Sequence, residues 1–246
     1  MKKIALITGS KGGIGSAISS QLVKDGYRVI ATHSAGSQEP AQEWFDANGF
    51  NTDQVRLFEL DVKDTDQCSE RLCGLLEEEG TIDVVINNAG ITRDGTFKKM
   101  SASDWKEVID TNLNSLFNVT QPLFGHMCEK GAGRIVNISS VNGLKGQFGQ
   151  TNYSAAKAGM IGFSKALAAE GAKSGVTVNV VAPGYTATPM VSAMKTEVLE
   201  SIKAQIPMKR LATPEEIAMS VSYLLSDAGA YITGETLSVN GGLYMH

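Results

Sequence analysis

Two side chains that could move a proton together, Tyr153 and Lys157, stand four residues apart. The surrounding segment Asn152–Lys173 has the spacing of a helix, which would place both on one face, one turn apart. A free tyrosine, with a pKa of about 10, is a poor acid at neutral pH. A nearby ammonium would stabilise the phenolate and lower that pKa, making Tyr153 a usable general acid. Taken alone, such a pair is more often an ordinary amphipathic helix surface.

A glycine-rich segment could bind a pyrophosphate. It reads Thr8-Gly9-Ser10-Lys11-Gly12-Gly13-Ile14-Gly15 and lies between a predicted strand and a predicted helix. Glycines allow the backbone to turn sharply and approach phosphate, while the N–H groups of the helix end stabilise its charge. A flexible turn is the alternative, but the position directly after the first strand favours a dinucleotide site.

The elements that must position these residues alternate along the chain. Nearly continuous runs of Val, Ile and Leu predict strands covered on both faces, at Lys3–Thr8, Arg28–Thr32, Val55–Leu60, Asp83–Ile86, Arg134–Ile138, Val176–Val181 and Thr236–Val239. Helices are predicted at Ile14–Asp25, Thr65–Glu79, Ala102–Lys130, Asn152–Lys173 and Pro214–Ser226, the last with Thr213 as N-cap. This alternation predicts an α/β fold in one domain spanning residues 1–246, a doubly wound Rossmann arrangement of about seven parallel strands with helices on both faces.

Composition excludes several classes of protein. The 246 residues are 42% hydrophobic and 20% charged, which excludes a disordered chain. The net charge of −4 without a basic block argues against nucleic acid and anionic membranes as partners. No apolar run approaches the ~20 residues that span a bilayer, and the first apolar stretch is too short for a secretory signal. Three cysteines without framework spacing favour a reducing cytoplasm.

Further segments, in order along essentially the whole chain, resemble the motifs of the short-chain dehydrogenase/reductase family. They are Asn87-Asn88-Ala89-Gly90, Asn112, Ser140, Tyr153 with Lys157, and Pro183-Gly184. The resemblance implies a nicotinamide-dependent oxidoreductase with Asn112, Ser140, Tyr153 and Lys157 as catalytic residues. In it, Tyr153 protonates a carbonyl oxygen that Ser140 orients. Lys157 also holds the nicotinamide ribose, and Asn112 anchors a water that links Lys157 to solvent.

The cofactor expected from the sequence is NADPH. The end of the second predicted strand carries His33 and Ser34 where NAD-preferring proteins carry Asp or Glu. Many NADP enzymes of the family have a basic residue where Gly12 stands, and Lys11 could replace it. The predicted cofactor contacts are Gly9, Ser10, Gly13, Ile14, Gly15, His33, Ser34, Asp61, Val62, Asn88, Ala89, Gly90, Tyr153, Lys157, Pro183, Gly184 and Thr188.

The substrate is expected to meet loops at the carboxyl ends of the strands. Val141–Gln150 lies between Ser140 and Tyr153 and must pass over the site, although a polar surface loop is the alternative. By resemblance, a mobile lid spans Tyr185–Lys203. Within the family the chain most resembles the branch that reduces acetoacetyl-CoA to (R)-3-hydroxybutyryl-CoA in polyhydroxyalkanoate synthesis. The predicted substrate contacts are Asp94, Ser140, Gln147, Phe148, Gln150, Tyr153 and Tyr185.

Two other functions stay open from the sequence. One is reduction of 3-oxoacyl groups on an acyl carrier protein, which would need a basic docking patch beside the cleft. The other is a non-catalytic NADPH-binding sensor. The resemblance also implies a homotetramer that pairs Ala102–Lys130 and Asn152–Lys173 between subunits, with the tail Gly241–His246 at a second interface.

The remaining polar clusters predict no further site. His33, His126 and His246 lack metal-ligand spacing, so no metal is expected. Cys68 and Cys73 are predicted to lie on the buried side of a helix. Glu77-Glu78-Glu79 is predicted to be a solvated helix end.

Overall fold

The computed structural model describes residues 2–192 and 194–245. Seven strands form a parallel sheet in the order β3-β2-β1-β4-β5-β6-β7. They are β1 Ile4–Ile7, β2 Arg28–His33, β3 Val55–Glu59, β4 Val84–Asn87, β5 Gly133–Ile138, β6 Val176–Pro183 and β7 Thr236–Val239. The strand order reverses between β1 and β4, and the carboxyl ends of these two strands therefore open the crevice in which such sheets bind ligands.

Ten α-helices connect the described strands. They are α1 Gly13–Lys24, α2 Gln38–Ala47, α3 Thr65–Glu79, α4 Ala102–Ile109, α5 Ser115–Lys130, α6 Val141–Lys145, α7 Thr151–Gly171, α8 Pro189–Ser192, α9 Thr196–Gln205 and α10 Pro214–Leu225. Short 3₁₀ turns lie at Phe97–Lys99, Ala172–Ser174 and Asp227–Gly229.

The core lies on both faces of the sheet. On one face, Leu72 of α3 and Leu123 of α5 pack with strand residues such as Leu6 and Ile135. On the other, Leu22 of α1 and Val221 of α10 belong to a second buried cluster. The doubly wound α/β fold is thereby confirmed, and its strands are apolar on both faces because helices cover both.

Each predicted strand is present within two residues of its predicted bounds. The helix start at Thr213 is also confirmed, since its hydroxyl accepts the N–H of Glu216, whose carboxylate in turn accepts the N–H of Thr213.

The long helix predicted over Ala102–Lys130 is wrong in one respect, because a π-helical turn at Asp110–Asn114 separates α4 from α5. Inside this turn, Asn112 Nδ2 donates to the backbone oxygen of Val108, four residues earlier, at 2.9 Å. A side chain that bonds to the helix backbone in this way competes with the regular ladder, and π turns of this kind occur often at functional sites.

Four helices were not predicted: α2, α6, α8 and α9. Helix α2 buries Ala41, and Trp44 and Phe45 on the same face pack partly buried against the core, so the sequence did contain a short apolar stripe at this helix. The other three lie in segments predicted as the substrate loop and the lid.

Two predictions about polar clusters are confirmed only in part, since Glu77 and Glu78 are exposed as predicted. Cys68 is buried but Cys73 is exposed. The side chain of Glu79 is only 7% exposed and accepts hydrogen bonds from Arg28 and, at 2.9 Å, from Arg56. It is therefore paired rather than solvated.

Across residues 2–192 and 194–245, no three His, Cys, Asp or Glu side chains are grouped to hold a metal. His246 lies outside the described residues. Within the same part of the chain, no helix is long and apolar enough to cross a membrane.

Candidate active site

The segment after β4 braces the glycine-rich turn after β1. Asn88 Nδ2 donates to the backbone oxygens of Thr8 and Gly9, both at 3.0 Å. The Thr8 hydroxyl accepts the N–H groups of Asn88 and Ala89, also at 3.0 Å. Asn88 and Ala89 were predicted as cofactor contacts, and in the structure they also fix the shape of the turn.

Glycine is required at three positions of this turn. Gly9 has a φ of +65°, which side chains rarely adopt. A Cβ on Gly15 would lie 2.2 Å from the Gly9 oxygen, and one on Gly13 would lie 2.8 Å from Thr188 Cγ2. The turn is therefore a tightly packed cradle, and replacing any of these three glycines with a larger residue would change its shape.

The first turn of α1 is open to an anion. Its N-cap, Gly12, supplies no side-chain hydrogen bond, and no acidic residue stands in the first turn. The N–H groups of a helix start without a cap favour a phosphate. Ser10, a predicted cofactor contact, instead turns its side chain inward and donates to the Ile7 oxygen at 2.7 Å.

A cleft of about 890 Å³ runs from this turn across the carboxyl edge of the sheet. It is lined by predicted cofactor residues together with others that sequence reasoning did not select: Gly9, Lys11, Gly12, Gly13, Ile14, Gly15, Thr32, His33, Ser34, Pro40, Leu60, Asp61, Val62, Lys63, Asn88, Ala89, Gly90, Ile91, Glu107, Thr111, Thr188 and Pro189. Its size and its phosphate cradle fit a dinucleotide.

Gly90 joins this cleft to the catalytic residues. A Cβ at Gly90 would lie 2.4 Å from Asn112 Oδ1 and 3.5 Å from Lys157 Nζ. Asn112 is fully buried and bonds to both backbone groups of Ile91, accepting its N–H at 3.0 Å and donating to its oxygen at 2.9 Å. The π turn thus fixes the backbone that passes Lys157.

Lys157 is buried, and Nζ donates to the Ile138 oxygen at 2.7 Å. It lies 5.6 Å from the centre of the Tyr153 ring. Burial lowers the pKa of Lys157 to about 8. The ammonium form therefore still predominates at neutral pH, but its proton is held less tightly than that of a surface lysine.

The expectation that Lys157 lowers the pKa of Tyr153 is wrong for the protein in this structure. Burial raises the pKa of the Tyr153 hydroxyl, a hydrogen bond with Ser140 opposes that rise, and the negative charge of Asp94 adds to it. The cost of placing a phenolate in this environment is the largest of these effects. Tyr153 is therefore held as an acid that keeps its proton.

Ser140 is positioned by the start of α6. It is the N-cap of that helix, and Oγ accepts the N–H of Asn142 at 3.1 Å. Because that bond uses a lone pair of Ser140 Oγ, the hydrogen of the Ser140 hydroxyl stays available for donation. The site thus brings Asn112, Ser140, Tyr153 and Lys157 together, as predicted from their positions after successive strands.

The other predicted substrate residues belong to the loop after β4, to the segment between α6 and α7, and to the segment after β6. Gln150 Nε2 donates to both oxygens of Asp94, at 3.0 and 2.9 Å. Gln147 accepts a bond from Lys145, and Phe148 is 86% exposed. Tyr185 is partly buried and lines a second cavity of about 110 Å³.

Pro183 and Gly184, two predicted cofactor contacts, pack against β7. Pro183 is buried in β6 beside Val239, and a Cβ on Gly184 would lie 2.8 Å from Asn240 Cα. Among the described residues, the lining of the large cleft includes neither of them.

The sequence offered a weak signal for some of the missed residues. Ile91 directly follows Gly90, and Thr111 directly precedes Asn112. Asn142, buried beside Ser140, carried no signal, because its role depends on contacts across the fold.

Comparison with known proteins decides the family. A family model described as short chain dehydrogenase matches residues 3–198. The chain belongs to the short-chain dehydrogenase family. Membership implies a nicotinamide cofactor, which the glycine cradle and the cleft fit.

Relatives of this short-chain dehydrogenase match along its whole length. An acetoacetyl-CoA reductase of an Acinetobacter species is 59% identical over 100% of the chain and 99% of the relative. The acetoacetyl-CoA reductase of Cupriavidus necator is 52% identical over 99% of each protein. A 3-oxoacyl-[acyl-carrier-protein] reductase of Vibrio cholerae is 44% identical over 99% of the chain and 98% of the relative.

Proposed function

We propose that this short-chain dehydrogenase reduces acetoacetyl-CoA to (R)-3-hydroxybutyryl-CoA with NADPH. The observation that carries the proposal is the convergence of Ser140, Tyr153 and Lys157 beyond Gly90, at the end of a dinucleotide-sized cleft. The full-length relatives named acetoacetyl-CoA reductase support the choice of substrate, and the family resemblance supplies the configuration of the product.

NADPH would be held along the cleft. The N–H groups at the start of α1 would bind the pyrophosphate, and Asp61 and Val62 would contact the adenine. His33 and Ser34 stand at the end of β2 in place of the carboxylate that holds an NAD ribose, and Lys11 and Lys63 line the same cleft. These side chains support a preference for the 2′-phosphate of NADPH.

The chain's own residues would handle the proton. The chemistry supplied by the bound nicotinamide is hydride donation to the carbonyl carbon. The Tyr153 hydroxyl would give its proton to the carbonyl oxygen, while the Ser140 hydroxyl donates a hydrogen bond to the same oxygen. Lys157, with a pKa near 8, would then return a proton to Tyr153, and the lone pair left on Asn112 Oδ1 would hold the water that reloads Lys157.

The acyl and pantetheine groups would lie along the segment between Ser140 and Tyr153. Gln147, Phe148 and Tyr185 would contact them, with Asp94 and Gln150 in the same wall. Phe148 offers an exposed aromatic face at this position. An exposed large aromatic is suited to covering an apolar part of a ligand.

A second candidate is reduction of 3-oxoacyl groups on an acyl carrier protein, favoured by the 44% identical relative of that name. The test is the initial rate of NADPH oxidation with acetoacetyl-CoA and with acetoacetyl-carrier protein, each repeated with NADH at matched concentration. We expect a higher kcat/KM with acetoacetyl-CoA and with NADPH. Much greater efficiency with the carrier protein would move the assignment to the second candidate, and tight NADPH binding without turnover of either thioester would indicate a sensor.

We also propose a homotetramer in a reducing cytoplasm. Phe117 on α5 is 56% exposed and Trp105 on α4 is 40% exposed, and large apolar side chains at a surface favour an interface there. Free thiols at Cys68, Cys73 and Cys128 agree with a reducing compartment. Light scattering at micromolar concentration should give four times the mass of one chain, and a monomer would contradict the proposal.

A further inference from the structure

Three side chains form a continuous hydrogen-bonded series beside Ser140. Gln150 Nε2 donates to both carboxylate oxygens of Asp94, at 3.0 and 2.9 Å. Asn142 Nδ2 donates to Gln150 Oε1 at 2.9 Å. We call Asp94, Gln150 and Asn142 the amide relay. It runs from the loop after β4, across the start of α7, to the first turn of α6.

The carboxylate fixes the direction of the relay. An ionised Asp94 can only accept hydrogen bonds, so Gln150 must present its NH₂ group to Asp94 and its oxygen to Asn142. Asn142 must then present its own NH₂ group to Gln150. If either amide turned over, two acceptors would face each other, and the turned amide would lose its hydrogen bond.

This direction leaves Asn142 Oδ1 facing away from Gln150. Asn142 is 9% exposed, and among the described residues Oδ1 is buried without a hydrogen-bond partner. A buried acceptor without a donor is unfavourable, and native structures contain few of them. Among the described residues, the bond to Gln150 is thus the hydrogen bond that decides which way the Asn142 amide points.

The same residue holds the Ser140 hydroxyl. The backbone N–H of Asn142 donates to Ser140 Oγ at 3.1 Å, and α6 is only five residues long, with few hydrogen bonds of its own. A second link, from the Gly95 N–H to the Gly149 oxygen at 2.8 Å, ties the two loops that carry Asp94 and Gln150. The relay thus connects a braced loop to the residue that caps α6.

We infer that Asn142 is a positioning residue. Asp94, acting through Gln150, fixes the Asn142 side chain. This also fixes the first turn of α6, which orients the Ser140 hydroxyl toward the reacting oxygen. The inference rests on the proposed function, because it assigns Asn142 an effect only through Ser140.

The test compares Asn142→Leu in two backgrounds. In the otherwise unchanged protein, we expect Asn142→Leu to lower kcat for acetoacetyl-CoA reduction about tenfold, the size of one hydrogen-bonding contribution, with KM within about twofold. Ser140→Ala alone should lower kcat about a hundredfold. In that background, adding Asn142→Leu should change kcat less than about twofold, because the hydroxyl it orients is gone. A purely structural defect would lower kcat in both backgrounds.

Two further variants keep the test decisive. Gln150→Leu breaks the relay at its centre, outside α6, and should reproduce both effects on kcat even if Asn142→Leu folds poorly. Its KM is not compared, because Gln150 also lies in the proposed substrate wall. Gln21→Leu is the matched control, because Gln21 donates to Asp25 at 2.8 Å on the exposed side of α1, far from Ser140. It should leave kcat unchanged, and thermal unfolding should show that each variant is folded.

The results of these measurements distinguish a failure of the inference about Asn142 from a failure of the proposed function. A tenfold loss that persists in the Ser140→Ala background, or a normal kcat in both relay variants, would overturn the inference while leaving the proposed function intact. Full turnover by Ser140→Ala and by Tyr153→Phe would instead overturn the proposed function.

Discussion

On the cofactor side of the site, side chains hold a turn that offers its backbone N–H groups to the ligand, whereas on the substrate side the side chains themselves form the wall. The glycine turn after β1 is closed by hydrogen bonds from the Asn88 side chain to the Thr8 and Gly9 backbone oxygens. The substrate wall depends on Asp94, Gln150 and Asn142, which hold one another across three separate segments.

The difference has a physical cause and a consequence. A pyrophosphate presents the same charge and shape to every dinucleotide site, so a rigid backbone cradle serves it. A substrate must be told apart from its analogues, which needs side chains of particular shape and polarity. We therefore expect changes on the cofactor side to act on binding and folding, and changes on the catalytic and substrate side to act on turnover and its pH dependence.

Removing the Tyr153 hydroxyl should give the largest effect on kcat. It should also show most clearly that turnover can be lost while cofactor binding is kept. Tyr153→Phe deletes the proton donor while the glycine cradle stays intact. We expect kcat to fall roughly a thousandfold, as for loss of a general acid, with the NADPH Kd from fluorescence titration within about threefold. A variant that keeps near-normal turnover would remove Tyr153 from the chemistry.

Adding a side chain to the glycine turn should weaken NADPH binding. A Cβ at Gly15 would lie 2.2 Å from the Gly9 oxygen, so Gly15→Ala must displace the turn. Overpacking of this kind costs about 1–3 kcal/mol, and we expect the NADPH Kd to rise roughly ten- to a hundredfold. Gly74→Ala in α3, where no atom lies within 4 Å, is the control and should leave Kd unchanged. Equal Kd values for the two variants would show that the cradle is not rigid.

Burial of Lys157 at the junction of the two sides should cost stability. The pKa of Lys157 falls from 10.5 to about 8, so between these pH values the unfolded chain binds more protons and stability rises with pH. Below pH 8 the full cost is present, about 3 kcal/mol. Lys157→Met should therefore stabilise the cofactor-free protein at pH 7 by up to about that amount and flatten the rise above pH 8, measured by urea unfolding.

The control for this change lies on the same helix. Lys165 is exposed, and Lys165→Met should alter neither the stability at pH 7 nor its slope with pH. Destabilisation by Lys157→Met at pH 7 would mean that the bond to the Ile138 oxygen outweighs the cost of burying the charge.

Removing the Asp94 charge should shift the pH profile of kcat, separately from any loss of kcat through the amide relay. The Asp94 carboxylate raises the pKa of Tyr153. Reduction requires the protonated phenol, so kcat falls as pH rises through that pKa, and Asp94→Asn should move this alkaline limb to lower pH. Asp66→Asn, on the exposed start of α3, should leave the limb in place. A limb that moves to higher pH in Asp94→Asn would contradict the assigned sign.

What could be predicted from the sequence follows the same division. The strands, the glycine turn and the Tyr153–Lys157 spacing are local patterns, in which neighbouring residues determine the geometry. The π turn at Asn112, the bond from Lys157 to Ile138 and the amide relay each join residues from different segments. No local periodicity encodes such pairs, which form only when the sheet brings loop ends together.

Gly184 shows that a motif recognised in the sequence does not by itself reveal which atoms approach its glycine. Its motif was recognised by resemblance, and in the structure its missing Cβ makes room for Asn240. A glycine in a motif indicates a close approach, and only the fold shows what approaches it.

The most direct test is a single turnover. The protein, loaded with one equivalent of NADPH, is mixed rapidly with excess acetoacetyl-CoA, and NADPH absorbance is followed together with the configuration of the product. The proposed function predicts that the absorbance disappears in one phase with one equivalent of (R)-3-hydroxybutyryl-CoA formed. Persistence of NADPH in the presence of bound acetoacetyl-CoA would contradict it.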